Sequence, residues 1–122
     1  MGAVPEKILT LCREKLIATK SDLLNRIRDN YHEYRSRDTG GDETDQAVDV
    51  LAERQFLINQ DRLRFQLLEI EIALAKMERG IYGVCEETDE PIEVERLLSL
   101  PWTRLSVEGA EIREDLSKRR AK

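Results

Sequence analysis

The stretch Gly40-Gly41-Asp42-Glu43-Thr44-Asp45-Gln46-Ala47 decides the fold. Glycine inside a helix costs about 1 kcal/mol relative to alanine, so an adjacent pair marks a turn. On either side, residues 6–37 and 43–79 contain neither glycine nor proline. The pattern predicts two long helices joined at residues 38–41. Asp42 is placed to cap the second helix, with Asp45 in its first turn, where a carboxylate meets free N–H groups and the positive end of the helix dipole. Every charged residue from Asp38 to Glu53 is acidic. An antiparallel helical hairpin with an acidic tip at 38–47 follows.

Working outward, Pro5 suits a first helical turn. Leu16, Lys20, Leu24, Ile27, Tyr31 and Tyr34 recur at spacings of three and four, one stripe on a helix of about 30 residues, or roughly 45 Å. A helix of that length needs a partner along it. On the second helix, Leu51, Ile58, Phe65 and Ile72 are seven apart, with Arg54, Asp61, Leu68 and Ala75 three residues further on. This predicts a heptad seam, apolar away from the tip and more polar near it. Residues 1–80 are therefore expected to form a coiled-coil hairpin.

Gly80 ends the second helix in the place favoured for a residue of positive φ. Residues 81–122 change character, with Gly83, Pro91 and Pro101 among apolar side chains. They predict a small globular lobe: a strand or turn at 82–91, a short helix at 92–100, and a C-terminal helix at 110–120 with Ile112 and Leu116 inward. The fold class expected is mostly α.

Of the 122 residues, 37% are charged and only 5% aromatic, against roughly 25% charged in an average chain. That balance suits long solvated helices. A net charge of −5 argues against free-standing nucleic-acid binding, which needs clustered cations. Residues 1–10 lack the basic start and apolar run of a signal peptide, and no window reaches 18 apolar residues. Cys12 and Cys85, 73 residues apart, make no disulfide framework and fit a reducing cytoplasm.

Little here resembles an active site. There is no phosphate loop, no Ser/His/Asp or Cys/His set, and one histidine, His32, on the first helix. Asp42, Glu43, Asp45 and Asp49 offer weak Mg²⁺ binding at most, and capping with solubility accounts for them equally well. Gly83-Val84-Cys85-Glu86-Glu87-Thr88 looks like half a zinc knuckle whose second cysteine has become Thr88. Zinc needs four ligands, normally cysteine or histidine, so none is expected to bind.

In combination these residues resemble the DksA/TraR family of bacterial transcription factors, over about residues 20–115. Asp42-x-x-Asp45-x-Ala47 matches the family's tip motif, and Asn59-x-Asp61-Arg62-x-Arg64 the polar run on the returning helix. Tyr82-Gly83-Val84-Cys85-Glu86 matches the entry to its four-cysteine knuckle, followed by Ile92, Arg96-Leu97, Pro101 and Glu111-Ile112-Arg113-Glu114. The resemblance implies a non-enzymatic, monomeric regulator whose hairpin enters the secondary channel of bacterial RNA polymerase without recognising promoter DNA. It implies activity at Asp42, Asp45 and Ala47, and anchoring by Asn59, Arg62 and Arg64. The family's zinc positions fall on Cys85, Thr88, Ser106 and Gly109, so Val84, Ile92, Leu97, Trp102 and Leu105 are expected to hold the lobe by burial. Positions that contact ppGpp beside the lobe fall on Glu69, Leu100 and Ala110, which lack the required cations. A Gre-like transcript cleavage factor and a plain coiled-coil adaptor or dimer are the alternative readings.

Overall fold

In a computed structural model, the structure describes residues 4–37 and 43–121, the side chains of residues 43–45 excepted. The expected fold class holds. Four helices are described: α1 (Glu6–Ser36), α2 (Glu43–Arg79), α3 (Val94–Ser99) and α4 (Val107–Arg120). No strand occurs among the described residues, only an isolated antiparallel bridge between Val84 and Pro91. The turn at 38–41 and Asp42 lie outside the described residues.

The chain divides into two compact units, Thr19–Leu68 and Met1–Ala18 with Glu69–Lys122. The start of α1 and the end of α2 belong with the lobe because their apolar side chains build its core.

Within Thr19–Leu68, α1 and α2 run antiparallel. Arg37 Nη1 pairs with Asp49 Oδ1 at 2.9 Å. The Tyr34 and Phe56 rings stack with centroids 4.3 Å apart. Further back, Gln60 Nε2 donates to the Ile27 carbonyl at 3.1 Å. Each step back along α1 meets a step forward along α2.

The seam is not the expected one. Leu51, Ile58 and Phe65 are 66%, 52% and 63% exposed. Between Asp49 and Leu68 the buried or half-buried positions of α2 are Asp49, Ala52, Phe56, Asn59, Gln60, Leu63 and Leu67; in the lobe they continue with Ile70, Ala73 and Met77, joined there by half-buried Glu69, Leu74, Lys76 and Ile72, the one member of the expected seam that is not exposed. Their backbone is again a seven-residue repeat, 49-56-63-70-77, displaced by two residues. Two residues turn a helix through about 200°, so the expected seam lies on the far side. On α1 the adjacent pair Leu23-Leu24 divides likewise: Leu23 is buried and Leu24 exposed.

In the second unit, Cys12, Leu16, Ile70, Ala73 and Met77 from the long helices are buried, as are Tyr82, Cys85, Ile92 and Leu97. Cys12 Sγ and Lys15 Nζ reach the carbonyls of Leu97 and Leu98, at 3.5 and 2.7 Å. Tyr82 donates its hydroxyl to the Pro101 carbonyl at 2.7 Å. Trp102, expected inside, is 37% exposed at the edge, and Val84 and Leu105 are half-buried. Helix α2 closes with Gly80 at φ 75°, Gly80 N–H donating to Met77 and Ile81 N–H to Lys76, the paired bonds that satisfy a helix's last carbonyls. Helix α4 begins three residues earlier than expected and leaves Ile112 and Leu116 36% and 39% exposed, not inward.

The helix pair contains a polar layer with unsatisfied groups. Asn30 Nδ2 and Gln60 Oε1 are buried without a partner. An orphaned polar atom costs about 1–3 kcal/mol, more than a typical hydrogen bond returns. Gln60→Leu is therefore expected to raise the unfolding free energy by about 1 kcal/mol in urea titration, whereas Leu63→Ala should lower it by about 2–4 kcal/mol.

Candidate functional site

Two groups of residues carry the candidate chemistry. Along α2, Asp45 lies in the first turn, its side chain outside the described residues, and Ala47 is exposed. Asp49 is not a free tip carboxylate, because Arg37 holds it. Asn59 is half-buried and its Oδ1 accepts from Gln55 Nε2 at 3.1 Å. Arg62 and Arg64 are exposed, projecting from the helix surface rather than joining its seam. His32 is exposed too, its ring edge-on to Tyr31.

The second group is the degenerate knuckle. Val84 and Pro91 bridge a tight turn in which Cys85 N–H donates to the Glu90 carbonyl at 2.8 Å and Ile92 N–H to Gly83 at 2.8 Å. Gly83 has φ 89°, and a Cβ there would strike the Val4 side chain. The turn delivers Cys85, with no exposed surface, to the first turn of α4. There Ser106 caps the helix, its Oγ accepting from Gly109 N–H at 3.0 Å. Glu93 adds a second cap, its carboxylate accepting from Val107 N–H at 3.2 Å. Gly109 is buried against the Cys85 sulfur, which occupies the space a Cβ would need. Thr88 Oγ1 accepts from Glu90 N–H at 3.2 Å.

All four positions thus converge on one sulfur. Burial pushes the Cys85 thiol up, but hydrogen bonds from the hydroxyls and backbone N–H groups of Ser106 and Thr88 outweigh it and bring the pKa to about 6. Each hydroxyl accepts from a backbone N–H, which leaves its proton for the sulfur. One thiol, two hydroxyls and a glycine do not make a zinc site, which wants four sulfur or nitrogen ligands. No group of three or more metal-binding side chains occurs among the described residues.

Around the knuckle, charges pair. Lys76 and Arg104 contact Glu86 at 2.5 and 3.8 Å, and Arg113 contacts it at 3.7 Å. Burial opposes ionisation of Glu86, but these three cations hold its carboxyl below the usual range. Arg104 also grips Glu69 with two bonds, at 2.8 and 3.0 Å. Leu100 is exposed and Ala110 half-buried, so the three positions expected beside the lobe present no cation of their own.

Comparison with known proteins bears on both groups. Residues 80–115 match the prokaryotic dksA/traR C4-type zinc finger. The RNA polymerase-binding transcription factor DksA of Caulobacter vibrioides is 34% identical over 110 residues, 89% of this chain and 78% of that protein. The chain belongs to the DksA/TraR family. A solved structure of transcription factor DksA2 from Pseudomonas aeruginosa superposes with a TM-score of 0.84 at 32% identity, covering 93% of this chain and 88% of that one. General stress protein 16O of Bacillus subtilis is 47% identical over 51 residues, 41% of this chain and 31% of its own.

Within this DksA/TraR member, the hydroxyl donors at Thr88 and Ser106 were missed as a functional set by sequence reasoning. Their signal was available: both residue types are small hydroxyls at cysteine positions. Between pH 6 and 9 the folded chain holds Cys85 ionised, while the unfolded thiol, at 9.0, stays protonated. The unfolded state then binds more protons, so stability rises with pH across that window and is lost as pH falls through about 6. The melting temperature of the wild-type chain should climb between pH 6 and 9 more steeply than that of Cys85→Ser; parallel curves would remove the thiolate.

Proposed function

We propose that this chain is a transcription regulator that binds bacterial RNA polymerase through the secondary channel and modulates initiation without binding promoter DNA. The observation that carries the reading is the shared fold and sequence with DksA over nearly the whole chain, including the two-helix unit. A pair of helices, each about 10–12 Å across, is narrow enough for a confined channel, as a globular lobe is not. Asp42, Asp45 and Ala47 lie at or beside the connection between the helices. Carboxylates delivered there would act strongly on the cationic and metal-rich surroundings of a polymerase active centre, since Coulomb energies grow several-fold as water is excluded. Asn59, Arg62 and Arg64 would anchor the shaft.

The net charge of −5 supports the absence of DNA recognition, because phosphate contacts require a clustered basic surface. Regulation on this reading is by contact and not by catalysis of the chain's own, and the regulator acts as a monomer in the cytoplasm. The lobe works without zinc, since its sulfur is already satisfied by Thr88 and Ser106. It also does without ppGpp beside the lobe, where Glu69 is already paired with Arg104.

Asp45→Asn removes one charge at an end of the shaft. It should bind polymerase within about twofold of wild type yet lose most of the effect on a ribosomal promoter in vitro. Retention of the full effect would rule out the role given to Asp45. Chelator treatment should leave the melting temperature and polymerase binding unchanged, and metal analysis of the purified chain should find less than a tenth of a zinc per molecule.

A further inference from the structure

Helix α4 leaves an apolar pair uncovered. Of its 14 residues only Gly109 is buried and Ala110 half-buried, and every residue from Glu111 to Arg120 is exposed. Ile112 and Leu116 sit one turn apart on the open surface. A helix of this length is marginal in water without a covered face, because few turns share the cost of nucleation. Glu108 lies one turn before Ile112, and Arg119 follows Leu116 by three residues, so all four share one side of the helix. Neither Glu108 nor Arg119 makes an ion pair among the described residues. Along that side the order is acid, apolar, apolar, base.

We propose that α4 pairs antiparallel with α4 of a second copy of this chain, with Ile112 and Leu116 at the centre and Glu108 of each copy against Arg119 of the other. The surface is self-complementary, as a twofold contact demands. Reversing the helix lays acid, apolar, apolar, base upon base, apolar, apolar, acid. Setting Ile112 opposite Leu116 of the other copy brings Glu108 to the level of Arg119 and Arg120 there, once at each end. These charges fix the direction, since parallel pairing would set Glu108 beside Glu108 and Arg119 beside Arg119. Asp115 lies at the edge of the contact and meets its own copy there, in water that screens like charges. One helix per copy, about 21 Å long, makes a contact smaller than the roughly 1,600 Å² of a standard interface. The pair is therefore weak and forms as concentration rises.

Other occupants fit less well. A nucleic acid would meet Glu108 and Asp115 on the same side as Arg119. A lipid surface asks for a broad apolar face and a cationic polar one, whereas α4 has two central apolar side chains and acids at 108, 111, 114 and 115. A small anion in the cleft of about 320 Å³ beside Leu116 would find Arg113 already held by Glu87 at 2.9 Å. The pairing itself does not rest on the function proposed above. Where the chain acts as a monomer, pairing sets how much of it is free.

The test is sedimentation of the full chain at concentrations up to about 1 mM, where weak pairs are populated. Wild type should pass from monomer to dimer. Glu108→Arg and Arg119→Glu should each pair at least threefold more weakly, because each sets like charges together at both ends. Mixed in equal amounts they should recover wild-type pairing within twofold, since each variant then meets the charge it lacks. Loss of helix in either variant would persist in the mixture, so recovery cannot come from folding. Ile112→Ser/Leu116→Ser should pair at least tenfold more weakly, with the control Ile58→Ser, on α2, within twofold of wild type. A wild-type chain that stays monomeric throughout overturns the proposal. So does a mixture that pairs no better than its two components, or a dimer that Ile58→Ser dissociates and Ile112→Ser/Leu116→Ser does not. Polymerase takes no part in the measurement, so either reading can fail while the other stands.

Discussion

The lobe depends on how the sulfur of Cys85 is satisfied. A buried sulfur with thiolate character needs donors, and the chain supplies them from two directions: Thr88 from its own turn and Ser106 from the start of α4. Both donors are themselves fixed, Thr88 by Glu90 N–H and Ser106 by Gly109 N–H, so the sulfur sits in a network in which every hydroxyl has a defined direction. Gly109 follows from the same constraint: only a residue without Cβ lets α4 approach that closely. A metal would draw four side chains to one point and fix their spacing. Here hydrogen bonds and the helix cap hold the four positions together; on the proposed zinc-free reading, these groups take over the closing of the turn onto α4. Stability that depends on a bound ion follows the ion's free concentration; a turn closed by its own hydroxyls does not.

Burial around that point is what assigns the helix ends to the lobe. Leu97 and Cys85 are fully covered only because Cys12 and Leu16 from α1 and Ile70, Ala73 and Met77 from α2 lie in the same core. At roughly 25 cal/mol per Å² these five side chains contribute more than Val84 and Trp102, which remain partly in water. The other ends of the helices have no such core. Between Thr19 and Leu68 the seam mixes Leu23, Leu63 and the Tyr34–Phe56 stack with Asn30, Asp49 and Gln60. A seam of that kind gives up stability but restricts register, because sliding by a turn would bury other polar groups or expose the stacked rings.

The two long helices were legible in the sequence almost to the residue, since each runs between breakers and carries no internal glycine or proline. The identity of the buried face was not. Two stripes of α2 share the seven-residue repeat, and the one that faces solvent, Leu51-Ile58-Phe65, is more apolar than the one that faces α1, which includes Asp49, Asn59 and Gln60. Apolarity alone selects the wrong stripe whenever an outer face carries an unfilled contact. The start of α4 was hidden for a related reason. Gly109 reads as a break, but it is helical because a neighbouring sulfur takes the place of its side chain. The knuckle positions were legible as degenerate ligands, and two small hydroxyls at cysteine positions were the available signal for a shared contact with Cys85; that each hydroxyl is held by a backbone N–H is a property of the fold.

The charge pattern bears on how such a regulator can work. The charged residues from Asp38 to Glu53 are all acidic, and arginines that make no ion pair among the described residues follow at 54, 62 and 64. Along α2, Asp45 and Arg62 are separated by about 25 Å of helix rise. That exceeds the Debye length of about 8 Å at physiological salt, so neither group sets the field the other experiences at the surface. Two chemically opposite tasks can therefore occupy one helix. Under the proposed function, positive charge on one stretch and negative charge on another act without mutual cancellation. A shorter helix would bring the two within screening distance. Under the proposed function, the 37-residue length of α2 makes affinity and effect separately adjustable by substitution.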